Sequence, residues 1–423
     1  MKPNVMLRFA SAVAACAMFL YATAAPAASY KVLYNFGLTR DDGVLPNGLI
    51  NIKNTLYGTA LQGGVSTRCN NKAEPGCGTV FSITTDGVYK TLHSFKGGTD
   101  GIGPSSGNLI DVNGTLYGTT VAGGTGSCPY DGDGCGTIFS ITTKGRERVV
   151  YSFKDNDDGY EPNSLINVNG TSYGTTLLGG TGNCTIYAGL TGCGTMFSIA
   201  PDGTKTILYN FTGGGHGAGP SGGLIYVNGK LYGTTVFGGT GSCTYDGAKG
   251  CGTVFSVTPD GKEKVLYSFR GGRDGAEPAG AGLVDVKGKF FGTTSGGGGQ
   301  WGGGTVFSLS MDGHEQVLHK FGYGRHGGVP EASLLDVNGT LFGTAEYGGA
   351  KYRSGVIFSI TRTGTENVVH QFTSTDGMFP QAQMIDINGT IYGTTEQGGR
   401  TFLLGGCLGD GGNGCGVVFS VKP

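Results

Sequence analysis

The chain has 423 residues, too many for one ordinary hydrophobic core, so it must hold several domains or one large closed repeat array. Glycine supplies 86 of them without a G-X-Y period, which puts the excess in tight turns and excludes collagen and long disordered tracts. The formal net charge of −1 leaves no basic surface for nucleic acid or an anionic membrane.

The N-terminus has the pattern of a secretory signal. Lys2 and Arg8 supply the positive segment, Phe9 to Tyr21 the apolar stretch, and Ala25-Pro26-Ala27 a small-residue cleavage site, so residues 1–27 are expected to leave the mature chain. Val13-Ala14-Ala15-Cys16 offers a second reading, a lipoprotein anchor on Cys16, but only a short Ser-interrupted stretch separates it from Arg8. No later segment is apolar for long enough to span a bilayer as a helix. The expected location is secreted, periplasmic or at the cell surface.

The mature chain, 28–423, begins with a lone strand, Val32 to Phe36, and then repeats itself. An aromatic followed by Gly-Thr recurs at Tyr57, Tyr117, Tyr173, Tyr232, Phe291, Phe342 and Tyr392, a spacing suited to propeller blades. A GTVFS-like strand follows each, with its aromatic at Phe81, Phe139, Phe197, Phe255, Phe307, Phe358 and Phe419. A VLYSF-like strand ends at Phe36, Phe95, Phe153, Phe211, Phe269, Phe321 and Phe372, and a short apolar strand such as Leu109 to Val112 completes the unit. β-branched and aromatic residues dominate these strand-sized segments. Asn113-Gly114, Asn169-Gly170, Asn338-Gly339 and Asn388-Gly389 are expected as two-residue type I′ turns, and Asp86-Gly87, Asp202-Gly203, Asp260-Gly261 and Asp312-Gly313 join the next strand pair. Each unit is therefore a four-stranded antiparallel meander, and no helix pattern appears.

The fold expected is all-β, one seven-bladed propeller domain. The lone first strand and the final VVFSV strand, Val417 to Val421, leave one sheet complete only if the two ends of the chain pair, which is how a propeller seals its ring.

The order of an apolar strand, Asn-Gly, an LYGTT strand, Gly-Gly and a GTVFS strand loosely resembles the kelch class of propeller repeat. It is more closely similar to the bacterial GloVer tandem repeat, whose unit runs GTVFS, a DG turn, VLYSF, a DGxxP loop and NGTLYGTT before GG. All seven units fit, so the resemblance covers nearly the whole mature chain. It implies an exported bacterial protein, often tethered by a variable C-terminal anchor. No sorting segment precedes Pro423, so release from the cell is the expectation.

Apart from Cys16, ten cysteines remain, in pairs within single repeats: Cys69 with Cys77, Cys128 with Cys135, Cys184 with Cys193, Cys243 with Cys251, and Cys407 with Cys415. The fifth and sixth units lack both members and never one alone, as bonded pairs require. Each bridge closes a short loop, for about 2.5 kcal/mol in the chain-entropy model. With no His beside them, disulfides fit better than zinc, and no metal is expected.

In an up-and-down blade, the loop after the second strand and the loop leading to the next blade emerge at one end. The Cys loops and the DGxxP loops therefore share a face, and the other face carries only tight turns. Six Cys-type loops hold an aromatic: Tyr130, Tyr187, Tyr245, Trp301, Tyr352 and Phe402. Such rings can meet sugar faces, with Asp131, Asp133 and Asp246 as acceptors, or can tuck beneath their own loops.

The DGxxP loops hold Asp42, Asp100, Asp158, Asp274 and Asp376, with His216 and His326 in two units. They are turn residues that bind their own backbone, or alternatively a ring of groups at the channel mouth for a cation such as calcium. His93, His319 and His370 replace the tyrosine of the VLYSF strand, and His314 follows a turn. The Asn-Gly-Thr sequons at Asn113, Asn169, Asn338 and Asn388 are explained by the hairpins. No HExxH or Cys/His pair is present, and no GxSxG or Gly-rich phosphate loop at a strand-to-helix junction.

The functional expectation is a monomeric, cofactor-free binding module that holds an extracellular glycan or protein on the loop-rich face. The alternatives are a polysaccharide lyase or hydrolase, or a purely architectural envelope protein. The candidate groups recur around the ring, which suits multivalent binding better than a single catalytic centre.

Overall fold

The computed structural model describes residues 28–39, 41–69, 76–128, 133–154, 157–186, 189–245, 247–278, 280, 282–299, 302–349, 353–400, 407 and 414–423. The expected signal segment 1–27, with Cys16, lies outside them.

Within these residues the chain forms seven antiparallel blades of four strands. In blade 1, Gly43–Ile52, Thr55–Gly63, Thr79–Thr84 and Tyr89–Ser94 follow one another across the sheet. Blades 2 to 6 repeat this order, with the inner strand of blade 2 in two pieces, Ile102–Pro104 and Ile110–Val112. Blade 7 takes Ile385–Ile387, Thr390–Thr395 and Val417–Lys422 from the end of the chain, and its outer strand is Ser29–Asn35 from the beginning. Inner strands of successive blades touch, which makes them the innermost layer of the ring. Among the described residues there is no α-helix, only short 3₁₀ turns such as Gly98–Asp100.

The Asn-Gly hairpins have the conformation expected of them, Asn113 at φ 54° and Gly114 at φ 83°. The aromatic-Gly-Thr landmark has a packing explanation. Its glycine is paired across strands with the phenylalanine of GTVFS, as in Gly58 with Phe81 and Gly174 with Phe197. A Cβ on Gly58 would stand 2.6 Å from Phe81 Cζ and 2.9 Å from Leu49 Cδ2, so the missing side chain is the slot that receives the ring.

The other side of that ring is covered by the preceding blade. Phe36 meets Phe81 edge-on at 5.2 Å between ring centroids, Phe95 meets Phe139 at 5.1 Å, and Phe269 meets Phe307 at 5.1 Å. The pair Phe372 and Phe419, at 5.5 Å, carries the series into blade 7. Both rings of these pairs are buried throughout.

A second seam lies nearer the channel. The proline of each DGxxP loop packs on the glycine that opens the third strand of the blade before it, so that a Cβ on Gly136 would meet Pro162 Cδ at 2.6 Å, and one on Gly416 would meet Pro46 Cδ at 2.6 Å. The residue before that proline donates its N–H to the preceding blade, as Gly103 does to the Cys77 carbonyl at 2.9 Å and Val329 to the Gly303 carbonyl at 2.8 Å. To do so it adopts positive φ, between 55° and 62° at Gly103, Glu161, Gly219, Glu277, Val329, Phe379 and Leu45. For Val329 in particular this conformation is strained.

The ends of the chain pair as expected: Tyr30 lies opposite Val421 and Asn35 opposite Val417, with a bulge between Val32 and Tyr34. The same bulge recurs in the outer strands of the other blades, for example between Val149 and Tyr151. It re-aims the following residue toward the next blade.

Removing the slot tests this packing. Gly233→Ala should lower stability by about 1–3 kcal/mol through overpacking against Phe255, read from the urea unfolding midpoint, and a second change, Phe255→Leu, should recover part of that loss.

Candidate functional site

The five disulfides form in the expected pairs, with Cα–Cα distances of 5.0 to 5.3 Å. They support the DGxxP loops from beside: a Cβ on Gly97 would lie 3.1 Å from the sulfurs of both Cys69 and Cys77, and one on Gly271 would lie 2.7 Å from Cys243 Sγ. The two loop classes are therefore packed on one another at one face. Five disulfides also point to an oxidising, extracytoplasmic compartment, and no helix among the described residues is long and apolar enough to cross a membrane. Of the loop aromatics, Tyr245 stands on a short hairpin, Thr244–Tyr245 against Ala248–Lys249, and is 54 % exposed. Tyr130, Tyr187, Trp301, Tyr352 and Phe402, like Asp131 and Asp246, lie outside the described residues, whereas Asp133 is exposed.

The DGxxP side chains lie along the outer strands. Asp42, Asp100, Asp158 and Asp274 each accept the backbone N–H four residues earlier, at 2.7 to 3.0 Å, and Asp376 accepts that of Thr373 at 2.6 Å. Each then reaches the re-aimed residue of the outer strand, so that the Tyr34, Tyr151 and Tyr267 hydroxyls donate to Asp42, Asp158 and Asp274. His93 and His370 hold Asp100 and Asp376 at 3.2 Å. The third member comes from the outer strand of the next blade: Tyr89, Glu147, Lys205, Glu263, Glu315, Glu366 and, at the ring seam, Tyr30. His216 and His326 fill the aspartate position by binding Glu263 and Glu366 at 3.0 and 2.7 Å. These side chains thus form seven polar stations between blades, each partnered with outer strands.

Burial shapes the acidity of these stations. The Glu315 carboxyl is pushed up to about 7 by burial first and then by the charge of Asp274. Glu147 is pushed up to about 7 by burial and by Asp100. In Asp100 burial acts upward, but hydrogen bonds from His93 and the Lys96 amide outweigh it and hold the group low.

A separate constellation occupies the inner end of the loop-rich face on blades 5 to 7. Glu277 precedes the proline of blade 5, Glu331 follows that of blade 6, and Glu346 and Glu396 directly follow the second strands of blades 6 and 7, Thr340–Ala345 and Thr390–Thr395. Burial, followed by repulsion from Glu346, Glu396 and Glu277, pushes Glu331 up to about 7. Burial also raises Glu277, and it raises Glu346 against the lowering pull of hydrogen bonds with Tyr347 and Gln381. Three rings border the carboxyls, with Tyr323 6.4 Å and Phe379 5.7 Å from Tyr347 between centroids. In blades 1 to 4 the positions of Glu346 and Glu396 hold Leu61, Val121, Leu177 and Val236. These second-strand positions are therefore apolar on blades 1 to 4 and acidic on blades 6 and 7, while Glu161 of blade 3 stands alone at the position matching Glu277. Sequence reading passed over the seven residues of this constellation; the available signal was their departure from the repeat.

Carboxyls held at about 7 keep protons that the unfolded chain releases near 4.5, so their contribution to stability is complete below about pH 4.5 and is lost as pH rises through 7. Asp100 and Asp376, held low, act in the opposite sense but only below their ordinary 3.8. The melting temperature should accordingly fall between pH 5 and pH 8, and Glu315→Gln should flatten that fall in a differential-scanning series.

The chain matches the Gloeobacter/Verrucomicrobia repeat over residues 18–188 and 183–405 and belongs to that family. No curated protein matches it. Among solved structures it is similar to virginiamycin B lyase from Staphylococcus aureus, with a TM-score of 0.54 at 12% identity over 94% of this chain and 99% of that one. It is also similar to a luciferin-regenerating enzyme, with a TM-score of 0.45 at 11% identity over 94% and 95% of the two chains. A gluconolactonase from Xanthomonas campestris follows, with a TM-score of 0.41 at 14% identity over 75% and 86%. At these identities the likeness is one of fold.

Proposed function

We propose that this member of the Gloeobacter/Verrucomicrobia repeat family is an exported binding module that holds a glycan at the mouth of its loop-rich face. Export would use the segment 1–27, and the mature chain would act as a monomer without a cofactor. The observation that carries the reading is the gathering of Glu277, Glu331, Glu346 and Glu396 with Tyr323, Tyr347 and Phe379 on blades 5 to 7. Carboxyl oxygens accept sugar hydroxyls while ring faces cover the apolar side of a pyranose, and a partly protonated Glu331 can donate as well as accept. The loop aromatics Tyr130, Tyr187, Tyr245, Trp301, Tyr352 and Phe402 would extend this platform outward as further subsites.

One observation favours a second reading, a polysaccharide hydrolase or lyase. Glu331, pushed up to about 7 by burial and by the charges of Glu346, Glu396 and Glu277, stands among further carboxyls, a grouping from which an acid and a base could be drawn.

Binding of the mature chain on a glycan array, followed by calorimetry on each hit, tests both. Glu331→Gln and Tyr347→Ala should each weaken binding at least tenfold, while Glu161→Gln, at the mouth on blade 3, should leave it unchanged. Binding indifferent to the first two changes would remove the mouth as the site. Turnover of a bound polysaccharide, abolished by Glu331→Gln, would establish the enzyme instead, and capture of a protein but no glycan would replace the ligand class.

A further inference from the structure

The station between blades 1 and 2 differs from its six counterparts. His93 and Glu147 come from the outer strands of blades 1 and 2 and Asp100 from the loop between them, and their ligand atoms all lie within 4.8 Å of one another. Among the described residues no other three His, Cys, Asp or Glu side chains come together in this way. His93 Nε2 is 3.2 Å from Asp100 Oδ2 and 4.0 Å from Glu147 Oε2. Two ligands about 2.0 Å from a tetrahedral ion stand about 3.3 Å apart, so the first pair is already at ligand spacing and the second must close by less than about 1 Å.

An independent feature points to a missing positive charge. The side chain of Glu147 is only 8 % exposed, and its Oε1 has no hydrogen-bond partner among the described residues. Buried acceptors in native proteins are normally satisfied. The next station shows what such a place accommodates: there Lys205 replaces the glutamate, its ammonium 2.8 Å from Asp158 Oδ1 and its side chain 2 % exposed. That station carries its own cation. Glu263, Glu315 and Glu366 also have an oxygen without a partner, but Glu263 and Glu366 face imidazoles that are largely exposed, 61 % for His216 and 65 % for His326, and Glu315 faces the Tyr267 hydroxyl rather than an imidazole. At the last station His370 meets Tyr30 in place of a carboxylate.

We propose that His93, Asp100 and Glu147 bind one first-row transition cation of the zinc type, which braces blade 1 against blade 2. One imidazole nitrogen with two carboxylates suits such an ion better than calcium, whose ligands are oxygens. Asp100 is already oriented by the Lys96 N–H at 2.7 Å, the kind of outer support that ligating carboxylates need. The Cys69–Cys77 loop lies against the same connection through Gly97, so ion and disulfide would fasten one corner of the ring.

The test uses the mature chain, stripped with chelator and titrated with Zn²⁺ by calorimetry and with Co²⁺ by visible absorption. One equivalent should bind, with a rise in melting temperature and a cobalt spectrum showing nitrogen coordination. His93→Tyr should weaken binding at least 100-fold without unfolding the chain, because tyrosine stands at that position in blades 2, 3 and 4 as Tyr151, Tyr209 and Tyr267. His370→Tyr, the same change at the seam, should leave binding intact, and Glu147→Gln should weaken it at least tenfold. The proposal is overturned if the unaltered chain binds no stoichiometric ion, if binding survives His93→Tyr, as it would at the mouth carboxyls, or if His370→Tyr abolishes it equally.

Discussion

The ring depends on one contact, the edge-on meeting of a phenylalanine that ends each outer strand with the phenylalanine in the third strand of the next blade. Neither ring can be buried by its own sheet. The third-strand ring needs a slot in the second strand, which only glycine leaves, and a lid, which only the neighbouring blade supplies. Burying one such side chain is worth about 1.5–3 kcal/mol, and its aromatic pairing about 0.5–1.5 kcal/mol more. A single blade forgoes both, which is why the units occur as a closed set and why the strand leading to Phe36, which covers Phe81 of blade 1, must itself be anchored to the C-terminal strand of blade 7.

This framework leaves the loop-rich face free to vary. The glycine slots, the proline seams and the outer-strand bulges repeat from blade to blade, so the differences between units are concentrated elsewhere. At the rim the variation is conservative in role: tyrosine, histidine, aspartate, glutamate and lysine exchange places while each station keeps a hydrogen-bonded set. At the mouth it is not conservative. Glutamates appear on blades 6 and 7 where blades 1 to 4 place leucine or valine and blade 5 places Ser295, and this breaks the sevenfold symmetry at one sector.

The architecture was legible in the sequence because its landmarks are periodic. The Asn-Gly hairpins, the glycine before each threonine and the paired cysteines each recur with a physical cause that a single copy already implies. The site was harder to read for the opposite reason. Glu331, Glu346 and Glu396 stand out only by departing from the pattern, and against seven aligned units such departures look like noise. The DGxxP loop posed a different difficulty. It travels from the outermost strand of one blade to the innermost strand of the next, so Asp42 and Pro46, four residues apart, sit at opposite ends of that crossing: the aspartate bonds Tyr34 on the outer strand, and the proline packs at the channel side. A linear motif does not show how far across a sheet its own residues are spread.

The pairing of Tyr30 with Val421 also sets a temporal order. The first strand to be synthesised has its hydrogen-bonding partner in the last, so it must wait unpaired while the six intervening blades assemble. Joining ends this distant in sequence is costly in loop entropy and is therefore a late step. During that interval the third strand of blade 7 and the waiting N-terminal segment are both open edges, the condition in which chains of this kind add to one another instead of to themselves. A chain that crosses a membrane N-terminus first would meet this hazard beyond that membrane, where completion of the circle turns an aggregation-prone ribbon into a particle whose remaining edges are the first and last strands of each blade.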